Sequence, residues 1–201
     1  MAGSRNPEKT RAEILHAAYK EISAQGFQRA SIENILSDVG VTKGALYHHF
    51  KNKYELGYAV VDELIMAEIT ERWITPLQDA EKPLDALIHV VRSARDCVSG
   101  DKIFCGCPLN NLSQEMSLID EGFRLRLNRI YESWCKCIGD ALARGQKEGE
   151  IDPRLDVKQA GAFIVAALEG TLGLAKTSQT AEVLDLCVDG LLDYLNRLRI
   201  L

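Results

Sequence analysis

Apolar residues recur three and four apart along nearly the whole chain, and no stretch alternates apolar with polar as a half-buried strand would. The pattern predicts helices. Ile14, Leu15, Ala18, Tyr19 and Ile22 form one stripe on a first helix from near Pro7 to about Gln25, ended by Gly26. Thr10 and Glu13 stand at capping-box spacing and offer an alternative start. Ile32, Ile35, Leu36 and Val39 mark a short second helix with Ser31 as its N-cap. Gly40 suits a tight turn, and Thr42 caps a third helix with Leu46 and Phe50 on its inner side. Asn52 caps a fourth, lined by Leu56, Val60, Leu64 and Ile69 and broken at Pro76. Pro83 opens a fifth, stopped at Gly100, and residues 100–107 are a loop. Pro108 starts a short sixth, and a seventh runs from Asp120 to about Lys147. After a break at Gly149 to Pro153, the last two span about Val157–Lys176 and Ala181–Arg199. The chain reads as all-α with about nine helices.

Two short helices joined at a glycine turn make a helix-turn-helix. The outward face of its second helix carries Lys43, Tyr47 and His48, with Thr42 beside them and Lys53 just beyond. That face is cationic and aromatic, as a groove-reading helix would be. The run VTKGALYHHFKNKYEL resembles the recognition helix and following turn of TetR-family transcriptional regulators, and ILHAAYKEISAQGF resembles the family's first helix. The likeness covers about the first third of the chain.

The resemblance implies a DNA-binding domain over residues 7–53, with the fourth helix from residue 52 as connector. It implies an effector-binding and dimerisation domain over residues 54–201. It sets Thr42, Lys43, Gly44, Ala45, Tyr47 and His48 toward the major groove, with Ser31 in the same DNA-binding set and phosphate contact from Tyr47 and Lys53. Ala45 can touch a thymine methyl but offers no hydrogen bond. Glu33 would repel phosphate and is excluded. Such regulators usually dimerise through their last two helices, which singles out Phe163, Ala167, Gly170, Leu174, Leu191 and Tyr194. The eighth helix is rich in small residues, among them Ala160, Gly161, Gly170 and Gly173, which let helix axes approach. The implied partners are a double-stranded DNA operator, a small-molecule effector and a second copy of the chain.

Charge agrees with a reading head on an acidic body: residues 1–53 carry +3 and the rest −8. Residues 1–6 read as a solvated tail or as an arm in which Arg5, with Lys9, reaches phosphate or the minor groove. No secretory leader precedes the first helix, and no apolar run approaches the ~18–20 residues of a membrane span, so a cytoplasmic location is expected. No nucleophile, P-loop or dinucleotide motif appears, so no enzyme and no cofactor are expected. Cys135 and Cys137 are about 200° apart around a helix and cannot easily share one tetrahedral site, so no metal is expected. Cys97, Cys137 and Cys187 read as small buried hydrophobes.

CGCPLNNLSQEMS resembles a "G-C-x-x-x-N-L-x-x-E" segment of one group of these regulators, some of which sense electrophiles or oxidants through the cysteine, here Cys107. Its place before a helix would favour the thiolate. Cys105 is a candidate resolving thiol and Lys176 a candidate cationic neighbour. The competing expectation is a non-covalent organic effector.

Overall fold

The computed structural model describes residues 6–97 and 105–200, so Arg5, Gly100 and most of the expected 100–107 loop lie outside the described residues, as does the side chain of Cys97. The described residues form nine helices: α1 (Pro7–Gln25), α2 (Ile32–Val39), α3 (Lys43–His49), α4, α5 (Pro83–Cys97), α6 (Pro108–Met116), α7 (Glu121–Lys147), α8 (Val157–Ser178) and α9 (Ala181–Arg197). Helix α4 is a continuous run of five segments: Lys53–Ala59, Val60–Ile65, Met66–Ile69, Thr70–Ile74 and Thr75–Gln78.

The starts follow local chemistry. Asn6 caps α1 by accepting from the Glu8 N–H at 3.0 Å, so the helix begins at Pro7 and not at Thr10. The hydroxyls of Ser31 and Thr42 accept from the Asn34 and Ala45 N–H groups, both at 3.3 Å, and Asn52 accepts from the Glu55 N–H at 2.9 Å. Gly40 has φ 67°, the left-handed conformation that lets the chain turn from α2 into α3.

Pro76 does not end α4, which runs on to Gln78. The segments Val60–Ile65 and Thr70–Ile74 are π-helical, and the Thr75 N–H reaches back to Thr70 O. A proline clashes with the carbonyl four residues before it. Widening the preceding turn to i→i+5 bonding relieves that clash, so the helix survives.

The chain falls into two compact units, one of Met1–Ala67 with Asn111–Leu127, the other of Glu68–Asn110 with Asn128–Leu201. This differs from a cut at residue 53: the first unit also takes the start of α4, most of α6 and the start of α7. Its core joins Ile14, Leu15, Ala18 and Ile22 to Ile35, Leu46, Phe50, Leu56 and Val60. Phe27, Tyr58 and Phe123 add an aromatic cluster, with ring centroids 4.6 Å (Phe27–Phe123) and 5.0 Å (Tyr58–Phe123) apart.

The second unit packs α5 and α7–α9 with the end of α4. Trp73 and Trp134 meet at 5.0 Å, and Leu77, Leu84, Leu87, Ile138, Ile164 and Leu195 are also buried. Contrary to expectation, α8 is long and apolar enough, by length and composition, to cross a membrane, with a mean hydropathy of 1.2. Here it is a core helix, burying Ile164, Val165 and Leu168.

Candidate nucleic-acid interface

Helix α3 has two faces because Leu46 is fully buried and Phe50 nearly so, which turns the intervening positions outward. Thr42, Lys43, Gly44, Tyr47 and His48 are exposed, and Ala45 is half-buried. Tyr47 keeps 42% of its surface. A Cβ on Gly44 would meet only the Thr42 hydroxyl, at 3.9 Å, so nothing in the protomer requires a glycine there. The missing side chain leaves the backbone open to close approach from outside.

His49 is half-buried, tilted against Phe50 with ring centroids 6.4 Å apart. The Ser31 hydroxyl is engaged twice, accepting from Asn34 and donating to Glu33 Oε2 at 3.2 Å. Glu33 Oε1 lies 3.7 Å from Lys43 Nζ, and both side chains are well exposed. The Glu33 carboxyl is held below its ordinary range by its backbone hydrogen bond, by Ser31 and by Lys43. Glu33 thus faces the reading surface and tempers the charge of Lys43.

Lys53, expected to contact phosphate, is half-buried and has partners inside the protomer. Its Nζ donates to the Gln28 carbonyl at 3.1 Å and sits 5.0 Å above the Phe27 ring. Desolvation lowers its pKa despite the nearby Glu115 and Glu21. It holds the turn between α1 and α2. Lys51 and Arg29, both exposed, take no hydrogen bond or ion pair among the described residues, and the sequence reading missed both.

The thiol expectation changes sign. Cys107 precedes α6, and backbone N–H groups of Leu109 and Asn110 do favour its thiolate. Burial and the charge of Glu169 outweigh them and push the thiol well up. The Cys107 Sγ donates to Glu169 Oε1 at 3.3 Å, and Asn110 Nδ2 donates to the Glu169 carbonyl at 3.4 Å. Cys105 and Lys176 are exposed, and the charge the thiol meets is that of Glu169.

Burial raises the Glu169 carboxyl itself to about 7 from an ordinary 4.5. A raised carboxyl binds its proton more tightly in the folded state. The resulting stability is complete below about pH 4.5 and is lost as the pH climbs through about 7. Glu169→Gln should therefore flatten the pH dependence, gaining roughly 1–3 kcal/mol on wild type between pH 5 and pH 8. Urea unfolding at the two pH values measures this; parallel curves for the two proteins would count against a buried, titrating Glu169.

Of the residues expected at a dimer seam, Phe163 is 51% and Leu174 55% exposed, and nothing lies within 4 Å of a Cβ on Gly170. Ala167 and Tyr194 are half-buried, and the Tyr194 and Phe163 rings meet edge to face with centroids 5.0 Å apart. Leu191 is a correction: at 5% exposure it faces the protomer's own core, because α9 turns it inward with Val188 and Leu195. Leu186, 66% exposed, and Gly190, open on its Cβ side, lie on the outer face and were not foreseen.

Comparison with known proteins agrees with this arrangement. Residues 14–60 match the family described as bacterial regulatory proteins, tetR family, and residues 83–191 match a tetracyclin repressor-like C-terminal domain. The chain is 31% identical, over 90% of each protein, to an uncharacterized HTH-type transcriptional regulator in the lacX 3′ region of Lactococcus lactis. It is 26% identical to the HTH-type transcriptional repressor DhaR of a Mycobacterium species, over 80% of this chain and 79% of that one. Its fold superposes on a TetR transcriptional regulator from Chloroflexus aurantiacus with a TM-score of 0.88 at 25% identity, covering 98% of this chain and all of that one. A helix-turn-helix with an open, cationic and aromatic second helix, joined to a helical body that matches the family's C-terminal domain, makes this chain a member of the TetR family of DNA-binding transcriptional regulators, not an enzyme.

Proposed function

We propose that the protein is a cytoplasmic, homodimeric repressor that two α3 helices seat on a near-palindromic operator and that a small organic effector releases. The observation that carries the reading is the outward face of α3, where Tyr47, His48 and Lys43 stand exposed around the side-chain-free Gly44. Two such heads would read successive major grooves ~34–36 Å apart, or farther for half-sites more turns apart. The seam is the outer face of α8 and α9, where Phe163, Leu174 and Leu186 are exposed apolar side chains. Release by a bound effector requires unequal affinity for the DNA-competent and released states. With its thiol held protonated by burial and Glu169, Cys107 is not given the role of trigger.

Tyr47→Ala removes a ring that is 42% exposed and takes no hydrogen bond or ring contact among the described residues, so operator binding should weaken by about 1–3 kcal/mol with little change in the thermal midpoint. Lys51→Ala should reduce the slope of log K against log salt by ~1 if it neutralises one phosphate. Lys53→Ala should cost stability as well as affinity, because it frees the Gln28 carbonyl. Gel retardation of a fragment upstream of the protein's own gene, across a salt series, separates the three. Wild-type retardation by Tyr47→Ala would remove α3 from the interface.

A further inference from the structure

The turn between α1 and α2 has no regular structure, and four of its backbone groups are tied to charged side chains. The Phe27 N–H donates to Glu115 Oε2 and the Gln28 N–H to Glu115 Oε1, both at 2.8 Å. The Gln28 carbonyl accepts from Lys53 Nζ at 3.1 Å, and the Ser31 N–H donates to Glu21 Oε1 at 3.1 Å. Gly26 precedes the pair with φ +80°, and a Cβ on it would lie 2.9 Å from Glu115 Oε2. The dihedral requires the glycine, and a Cβ here would displace the carboxylate. Two N–H groups converging on one ionised carboxylate make the stronger, charge-assisted kind of hydrogen bond.

We propose that Glu115 is a positioning residue for DNA reading: it touches no DNA, but its carboxylate fixes the turn from which the helix-turn-helix departs, and operator affinity depends on it. Gly26 to Ala30 decides where Ser31 stands as the cap of α2, and α2 carries α3. Glu115 is carried by α6, a helix of nine residues. The first residues of α6, up to Asn110, belong to the unit that holds Cys107 and Glu169, and the rest, from Asn111, to the unit that holds the head. Within the unit that holds the head, Glu115 is the residue of α6 that grips this turn.

The test uses the full chain and a duplex selected by the wild type from random-sequence DNA. Glu115→Gln keeps one acceptor and turns an NH2 toward the other amide. Glu115→Asp is a methylene too short to serve both. For each, the Kd should rise about tenfold, the loss of one charge-assisted bond, at an undiminished active fraction in stoichiometric titration. The salt slope should stay that of wild type, since no phosphate contact is lost. Amide hydrogen exchange at Phe27 and Gln28 should speed up in both variants. An unchanged Kd, or a loss found wholly in the active fraction, would overturn the proposal and leave Glu115 a structural residue. A wild type that selects no duplex would overturn the DNA reading itself, and the positioning role with it.

Discussion

Gly170→Leu should yield a folded protomer that no longer pairs at micromolar concentration. Among the described residues nothing lies within 4 Å of a Cβ at this position, so the first carbon of a leucine there meets open space. In mid-helix the change even favours the folded chain, since glycine costs about 0.8–1.0 kcal/mol against a good helix former. The penalty falls on whatever the outer face of α8 meets. If that is α8 and α9 of a second copy, the leucine overpacks the contact at about 1–3 kcal/mol. A two-fold interface repeats the fault on both sides, so roughly 2–6 kcal/mol is lost per dimer. Sedimentation velocity should show a shift to monomer, and operator affinity should collapse because each head then binds alone. A dimer as tight as wild type, with the thermal midpoint raised, would put the seam elsewhere.

What could be read from the sequence was decided within a few residues. Ser31, Thr42 and Asn52 cap as expected because a capping side chain needs only the N–H two or three positions ahead. Gly40 turns the chain for an equally local reason. The reading face of α3 followed from the inward set of Leu46 and Phe50. The hold that Lys53 has on the turn was not legible, because its partner, the Gln28 carbonyl, lies 25 residues away. Glu115 was overlooked although its motif was noticed, because the amides it holds are 87 and 88 residues distant and a backbone N–H leaves no mark on composition.

The fate of Cys107 was a matter of magnitude. The helix start acts on its thiol in the expected direction, but Glu169, 62 residues on, and burial act against it and prevail. Leu191 and Leu186 of α9 are alike in side chain, and only packing sends one inward and the other out.

The small residues of α8 divide in the same way, and this sets up the last expected result. Gly161→Ala should destabilise the protomer strongly, whereas Gly173→Ala on the same helix should not. A Cβ on Gly161 would lie 2.6 Å from the Cys135 carbonyl oxygen and 3.1 Å from the Gly139 nitrogen. Gly139 faces the same seam, its own Cβ position 3.2 Å from the Val157 carbonyl oxygen. These neighbours are backbone atoms of α7 and α8, which cannot rotate aside as a side chain would. Adding one methyl must push two packed helices apart, at about 1–3 kcal/mol. In a chain of this size that lowers the thermal midpoint by roughly 2–12 °C. Gly173 has open space around its Cβ position, so alanine there should gain about 0.5–1 kcal/mol from lost chain entropy in the unfolded state. Both changes belong in the Gly170→Leu background, so that a dimer contact at Gly173 does not enter the comparison. Opposite signs in thermal and urea unfolding are the expected outcome. If Gly161→Ala proved as stable as its parent, the close approach of α7 and α8 at this glycine would have to be abandoned.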